Sequence, residues 1–133
     1  MARILVIEDN YEFRQLLCLY LGEAGHSCEK IERGDLALET AKEAVEKGGP
    51  FGLVIIDGHY LPGKLGTEVC KELRADPAFA DVPVLMISVL RPEVLRESLK
   101  GITVEQFMRK PLQFEDVVKA VAALVASEKG GPS

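Results

Sequence analysis

An excess of positive charge is the first property that this chain lacks. Its 133 residues include 16 lysines and arginines against 21 aspartates and glutamates, so the formal net charge is −5. The basic residues are scattered, whereas a nucleic-acid-binding domain concentrates them in a patch or along one helix. We therefore expect no direct nucleic-acid binding by this domain.

Cysteine is also scarce. Cys18, Cys28 and Cys70 show neither the paired spacing of a disulfide framework nor the short spacing of a metal-binding motif. We expect all three to be reduced and mostly structural, as cysteines usually are in the cytosol.

A signal peptide, internal repeats and long apolar stretches are absent from the sequence. No apolar run approaches the length needed to cross a membrane, so we expect a cytoplasmic protein without a membrane contact. A chain of this length can bury one good core. We expect a single domain over residues 1–128, and a flexible tail or the start of a linker over residues 129–133, which end in Gly-Gly-Pro-Ser.

What the chain has is a regular alternation of short apolar runs with helical patterns. The apolar runs predict strands at residues 4–7, 28–32, 53–57, 82–88 and 104–108. Apolar residues at helical spacing predict helices at about residues 10–23, 35–46, 67–74 and 92–101, and a fifth with an inner stripe from Phe114 to Val125. Residues 58–66, rich in Gly and Pro, are predicted to be a loop. Five βα units predict an α/β fold, with a doubly wound parallel sheet between two helical layers.

Polar groups follow four of these apolar runs. Glu8 and Asp9 come after the first, Asp57 closes the third, Ser88 closes the fourth and Lys110 follows the fifth. Because the carboxyl ends of parallel strands meet at one edge of a sheet, we expect these groups to converge. Three clustered carboxylates repel one another unless a cation or a proton is present, and Mg²⁺ suits such oxygen ligands. The hydroxyl and the ammonium suit an anion such as a phosphoryl group.

Taken singly, each of these residues has an ordinary structural explanation. Asp9 or Asn10 can cap a helix, Asp57 can be a turn residue, Ser88 can bond to the backbone, and Lys110 can be a solvated charge. All of them would have to be coincidental together, which makes a shared site the better interpretation.

At these positions the chain resembles the receiver domain of bacterial two-component response regulators, from Arg3 to about Ser127. The matching motifs are the acidic pair Glu8-Asp9, the phosphoacceptor Asp57, the hydroxyl Ser88, the switch aromatic Phe107 and the pair Lys110-Pro111. The resemblance implies a flavodoxin-like fold with strand order 2-1-3-4-5 and a cis peptide bond before Pro111.

The resemblance also implies a mechanism that uses Mg²⁺. Asp9 and Asp57 would bind the ion directly, Glu8 through water, and His59 through its backbone carbonyl. Asp57 would accept a phosphoryl group from a sensor histidine kinase or a phosphotransfer protein, while Lys110 neutralises charge.

Output would follow from a movement of Ser88 and Phe107. That movement would repack the face formed by the fourth helix, the fifth strand and the fifth helix, where an output domain or a partner protein binds. The domain would be a signalling module and not an enzyme, catalysing only its own phosphorylation and dephosphorylation.

Three positions differ from the usual receiver pattern. Pro62 and Gly66 stand one residue later than expected after Asp57, so the loop contains one additional residue. This insertion is expected to shift the His59 carbonyl. Gly58 replaces an apolar residue. Val89 replaces a smaller residue after the switch hydroxyl and is expected to narrow access to the phosphoryl group.

Two alternatives remain open at this point. The insertion is compatible with a pseudo-receiver, an interaction module that does not depend on phosphorylation. Asp57-Gly58-His59 and the later Ser88-Val89-Leu90 are also similar to motifs of cobalamin-binding domains, in which the histidine binds cobalt. The glycine of that motif does not fit, because Pro62 stands three residues after His59.

Overall fold

Residues 1–129 are described by the computed structural model, and they form seven strands and five helices. In chain order the elements are β1 (Arg3–Ile7), α1 (Tyr11–Glu23), β2 (Ser27–Ile31), α2 (Ala37–Gly48), β3 (Leu53–Asp57), β4 (Tyr60–Leu61), β5 (Lys64–Leu65), α3 (Gly66–Arg74), β6 (Val84–Ser88), α4 (Pro92–Leu99), β7 (Gln106–Arg109) and α5 (Phe114–Lys129). Helix α5 extends one residue past the predicted domain end. The predicted tail from residue 130 onward lies outside the described residues.

The main sheet has five parallel strands in the order β2-β1-β3-β6-β7. The chain starts near the middle, moves to one edge, and then crosses back to build the other edge. The register pairs Ile7 with Ile56 and Asp57 with Ile87, which brings the carboxyl ends of β1, β3 and β6 to one level. The predicted doubly wound α/β fold and its strand order are confirmed.

Each face of the sheet has its own apolar core because successive side chains of a strand point to opposite faces. On one face, Leu5, Ile7, Val54, Ile56 and Met86 pack with buried residues of α2, α3 and α4. The other face carries the intervening strand residues, among them Ile4, Val6, Leu53, Ile55 and Leu85, which pack with α1 and α5. In the described part of the chain, no helix is both long and apolar enough to cross a membrane.

The loop prediction for residues 58–66 is wrong in part, because β4 and β5 form an antiparallel hairpin there. Pro62 and Gly63 lie at its tip, and Gly63 has a φ of 83°. Proline followed by a glycine with positive φ is the preferred pair for a type II turn. The extra residue therefore lies inside a regular hairpin. The Pro62 carbonyl at its tip accepts a hydrogen bond from the Gly34 N–H at 2.9 Å.

Candidate functional site

The three predicted acids lie together at the carboxyl edge of the sheet. Glu8 and Asp9 follow β1, and Asp57 is the last residue of the neighbouring strand β3. One carboxylate oxygen from each lies within 4.8 Å of the others. Glu8 is almost fully buried, and Asp9 and Asp57 are half-buried. This cluster is a set of hard oxygen ligands of the kind that Mg²⁺ prefers.

Lys110 reaches into the cluster from the loop after β7. Its ammonium donates to Glu8 Oε1 at 2.7 Å and to Asp57 Oδ2 at 3.2 Å. The same ammonium lies 4.2 Å from the centre of the Phe13 ring, a favourable cation–π distance. The peptide bond between Lys110 and Pro111 is cis, as the resemblance implied. One cation therefore links two of the three carboxylates.

Burial and charge pairing shift the pKa values of Glu8 and Lys110 in opposite directions. Burial raises the pKa of Glu8, although hydrogen bonds from Lys110 and Asn10 partly oppose that change. Burial alone would lower the pKa of Lys110, but the hydrogen bond to Glu8 and the charge of Asp57 outweigh it and raise the pKa. The ammonium is therefore held in its charged form.

The acidic pair is fixed by the first turn of α1. Asn10 caps that helix by accepting from the Phe13 N–H at 2.8 Å, as one of the ordinary explanations predicted. Its own N–H donates to Glu8 Oε2 at 3.1 Å. Arg14, which is buried, donates to the Glu8 carbonyl at 2.8 Å and pairs with Glu32 at 3.3 Å. Sequence reasoning missed Arg14 because its contacts to Glu8 and Glu32 depend on tertiary structure.

Asp57 is oriented by the hairpin loop that follows it. Its Oδ1 atom accepts the His59 N–H at 2.9 Å. The His59 carbonyl, predicted to bind the metal, accepts the Gly66 N–H at 2.8 Å. A carbonyl oxygen has two lone pairs, so one of them is engaged by Gly66. The hairpin therefore brings Gly66 back to His59, the residue whose N–H orients Asp57.

Two glycines allow this close packing. A Cβ atom on Gly66 would overlap the Asp57 carbonyl oxygen, and one on Gly58 would come within 2.7 Å of the Met86 side chain. The absence of an apolar side chain at position 58 is therefore matched by Met86, which fills that space. The contact at Gly66 was missed from sequence because it depends on the path of the loop.

The predicted switch residues lie on the same face of the sheet. Phe107 pairs with Met86 in the register of β6 and β7, and Ser88 is two residues beyond Met86. Ser88 is fully buried, and its Oγ accepts the Leu90 N–H at 3.1 Å. Phe107 is half-buried, and the Arg96 guanidinium lies 4.7 Å from its ring centre.

Val89 lies at the surface beside this site. Its side chain is 56% exposed, while its carbonyl accepts from the Arg109 guanidinium at 3.0 Å. The side chain is therefore free of the core and is available to contact molecules that approach from solvent.

Residues 4–122 match the family model of the response regulator receiver domain. The chain belongs to this family, whose members act in two-component signalling, and it is not assigned to the cobalamin-binding class.

Curated relatives include the transcriptional regulatory protein ResD of Bacillus subtilis, 29% identical over 93% of this chain and 48% of the relative. Another is BaeR of Escherichia coli, 30% identical over 92% of this chain and 48% of the relative. The chain thus spans about half the length of these relatives. Among solved structures, the chemotaxis protein CheY4 of Vibrio cholerae superposes with a TM-score of 0.81 at 25% identity, covering 93% of this chain and 98% of that one.

Proposed function

We propose that this domain is a phospho-accepting receiver in which Asp57 takes a phosphoryl group from a phosphohistidine. The single observation that carries the proposal is the position of the Asp57 carboxylate, between two further acids and the ammonium of Lys110. An isolated surface aspartate would have neither of these neighbours. The phosphodonor would be a sensor histidine kinase or a phosphotransfer protein.

The acid cluster fits a bound Mg²⁺ ion. Asp9 and Asp57 would bind it directly, Glu8 would act through water, and the His59 carbonyl would use its remaining lone pair. When bound, the ion would supply positive charge against which the oxygens of the transferring group are stabilised. It would also reduce the repulsion among the three carboxylates, because the single positive charge of Lys110 does not balance three negative charges.

The chain's own residues account for the transfer step. A carboxylate oxygen of Asp57 forms a bond to phosphorus as the phosphorus–nitrogen bond of the donor imidazole breaks. Lys110, held in its charged form, stabilises the charge on the equatorial oxygens. The buried hydroxyl of Ser88 can donate its hydrogen to one of those oxygens while it still accepts from Leu90.

Signal output would proceed through Ser88 and Phe107. A shift of the Ser88 hydroxyl toward the phosphoryl group would open space on the face of the sheet that both side chains share. Phe107 would turn into that space and leave Arg96. The surface of α4, β7 and α5 would then change, and a cytoplasmic output domain or partner protein would bind there.

Phosphorylation by a small-molecule donor tests the proposal directly. Acetyl phosphate with Mg²⁺ should add one phosphoryl group to the wild-type chain, detected by intact mass. Asp57→Asn should abolish the addition, because a neutral amide is a poor nucleophile. The matched control is Asp81→Asn, an exposed acid away from the cluster, which should be phosphorylated like the wild type. An unmodified wild-type chain, also with histidine kinases as donors, would favour the pseudo-receiver.

A further inference from the structure

Two cysteines that are ten residues apart in sequence meet in the fold. Cys18 lies in α1 and Cys28 lies in the edge strand β2. Both side chains join the apolar cluster on the α1 and α5 face of the sheet. Lys30, two residues beyond Cys28, donates to the side chain of Gln15, three residues before Cys18, at 3.0 Å, so the packing of α1 on β2 brings the two thiols together. Both residues are only half-buried, so small reagents can reach them. The sequence spacing alone gave no sign of this pair.

The surroundings of the two thiols are positively charged. Arg14 lies four residues before Cys18, which places it on the same side of α1. Lys30 lies two residues after Cys28, which places it on the same face of β2. Positive charges of this kind favour a thiolate over a thiol and make a cysteine more reactive.

The two cysteines are not equivalent. The neighbouring Cys28 thiol lowers the pKa of Cys18, and the charges of Lys30 and Arg14 act in the same direction, against the effect of burial. The neighbouring Cys18 thiol, together with burial, raises the pKa of Cys28. Cys18 is therefore the thiol that ionises first.

We propose that Cys18 and Cys28 form an oxidisable pair, in which Cys18 is the attacking thiolate, Cys28 is the resolving thiol and a hydroperoxide is the oxidant. With hydrogen peroxide, the Cys18 sulfur forms a bond to one oxygen as the oxygen–oxygen bond breaks, and the hydroxide that leaves is protonated to water; an organic hydroperoxide would release an alcohol in its place. The Cys28 sulfur then attacks the sulfenic sulfur and expels a second water. Two thiols lose two electrons to the peroxide, and one disulfide joins α1 to β2.

Cys70 provides an internal control. It is fully buried in α3, on the opposite face of the sheet, and burial raises its pKa to about 11. Its thiol is protonated and closed to reagents, so Cys70 should stay reduced when the pair is oxidised.

The experiment exposes the folded chain to hydrogen peroxide, quenches it, and blocks remaining thiols with N-ethylmaleimide after denaturation. The wild type should lose the mass of two hydrogen atoms and take up one maleimide instead of three. Trypsin cuts after Arg14 and Lys30, so both cysteines leave in the peptide of residues 15–30, and Cys70 leaves in residues 65–71. Further cleavage after Glu23 separates Cys18 from Cys28, and the two halves should remain joined until a reductant is added.

Serine variants test the assigned roles. Cys28→Ser should accumulate a sulfenic acid at Cys18 that dimedone traps, and Cys18→Ser should react much more slowly with peroxide. The inference is overturned if the treated wild type still takes up three maleimides. It is also overturned if the link joins Cys70 or two separate chains, or if Cys18→Ser reacts as fast as Cys28→Ser. None of these outcomes depends on phosphorylation of Asp57, so the two proposals stand or fall separately.

Discussion

The loops after β1 and β3 position their acids at one edge of the sheet by different means. After β1, neighbouring side chains fix the loop, since the Arg14 guanidinium donates to the Glu8 carbonyl and the Asn10 side chain accepts the Phe13 N–H. After β3, the backbone does it, since the hairpin brings the Gly66 N–H to the His59 carbonyl and packs Gly66 against Asp57. A side-chain network can lose one member and adjust. A close approach of two backbones cannot accept even one added methyl group.

The first prediction, which has the largest expected effect, tests the close approach of Gly66 to the Asp57 carbonyl. Gly66→Ala should destabilise the domain by about 3 kcal/mol, the upper end of the usual cost of overpacking, and phosphorylation should fall with it. Urea unfolding measures the change. Gly22→Ala is the matched control, because a Cβ there meets nothing within 4 Å and alanine in a helix is favoured by up to about 1 kcal/mol. Equal unfolding midpoints for Gly66→Ala and the wild type would contradict the backbone contact.

The second prediction tests the acid cluster on the β1 side. Asp9→Ala should weaken Mg²⁺ binding at least about tenfold, which is about 1.4 kcal/mol, because one of three ligating carboxylates is removed. Phosphorylation by acetyl phosphate should fall in parallel. Titration calorimetry with Mg²⁺ measures the affinity, and Asp81→Asn again serves as the unaffected control. Undiminished phosphorylation of Asp9→Ala would mean that the acidic pair is misassigned.

The fold and most of the site were predictable because they depend on local patterns. Each parallel strand is an apolar run, and Asp57 and Ser88 close two of them, so strand alignment alone brings these groups to one edge. The position of Lys110 followed from the same reasoning.

What could not be predicted depends on contacts between distant segments. Arg14 has no visible partner along the chain, and its pairing with Glu32 appears only when α1 packs beside β2. The Cys18–Cys28 contact likewise requires α1 to lie against β2. The hairpin is a different case, since Pro62-Gly63 is a recognisable type II turn pair that the loop prediction overlooked.

The third prediction tests the link between the site and the output face. Ser88→Ala should still be phosphorylated, but most of the structural response should be lost because no hydroxyl remains to bond the phosphoryl group. The measurement is the change in chemical shift over residues 90–125 on adding beryllofluoride with Mg²⁺. Ser98→Ala, an exposed serine of α4, should respond fully. A full response in Ser88→Ala would show that the Ser88 hydroxyl does not transmit the structural change.

The smallest expected effect concerns the lifetime of the phosphorylated form. Hydrolysis requires a water molecule in line with the phosphorus, and Val89 is bulkier than the residue usual at that position. Leu90 is apolar and cannot orient the water by a hydrogen bond, so both residues favour a long-lived phosphoprotein. Val89→Ala should therefore lose phosphate a few times faster than the wild type.

The exposure of Val89 makes this a clean comparison. Substitution of an exposed side chain changes stability by about 0.5 kcal/mol or less, so a faster decay would reflect access to the phosphoryl group and not unfolding. Mg²⁺ affinity should stay the same, since no carboxylate is altered. Val94→Ala removes the same atoms from an exposed position in α4 and should leave the decay rate unchanged. If Val89→Ala and Val94→Ala decay at the same rate, the Val89 side chain does not restrict the access of water to the phosphoryl group.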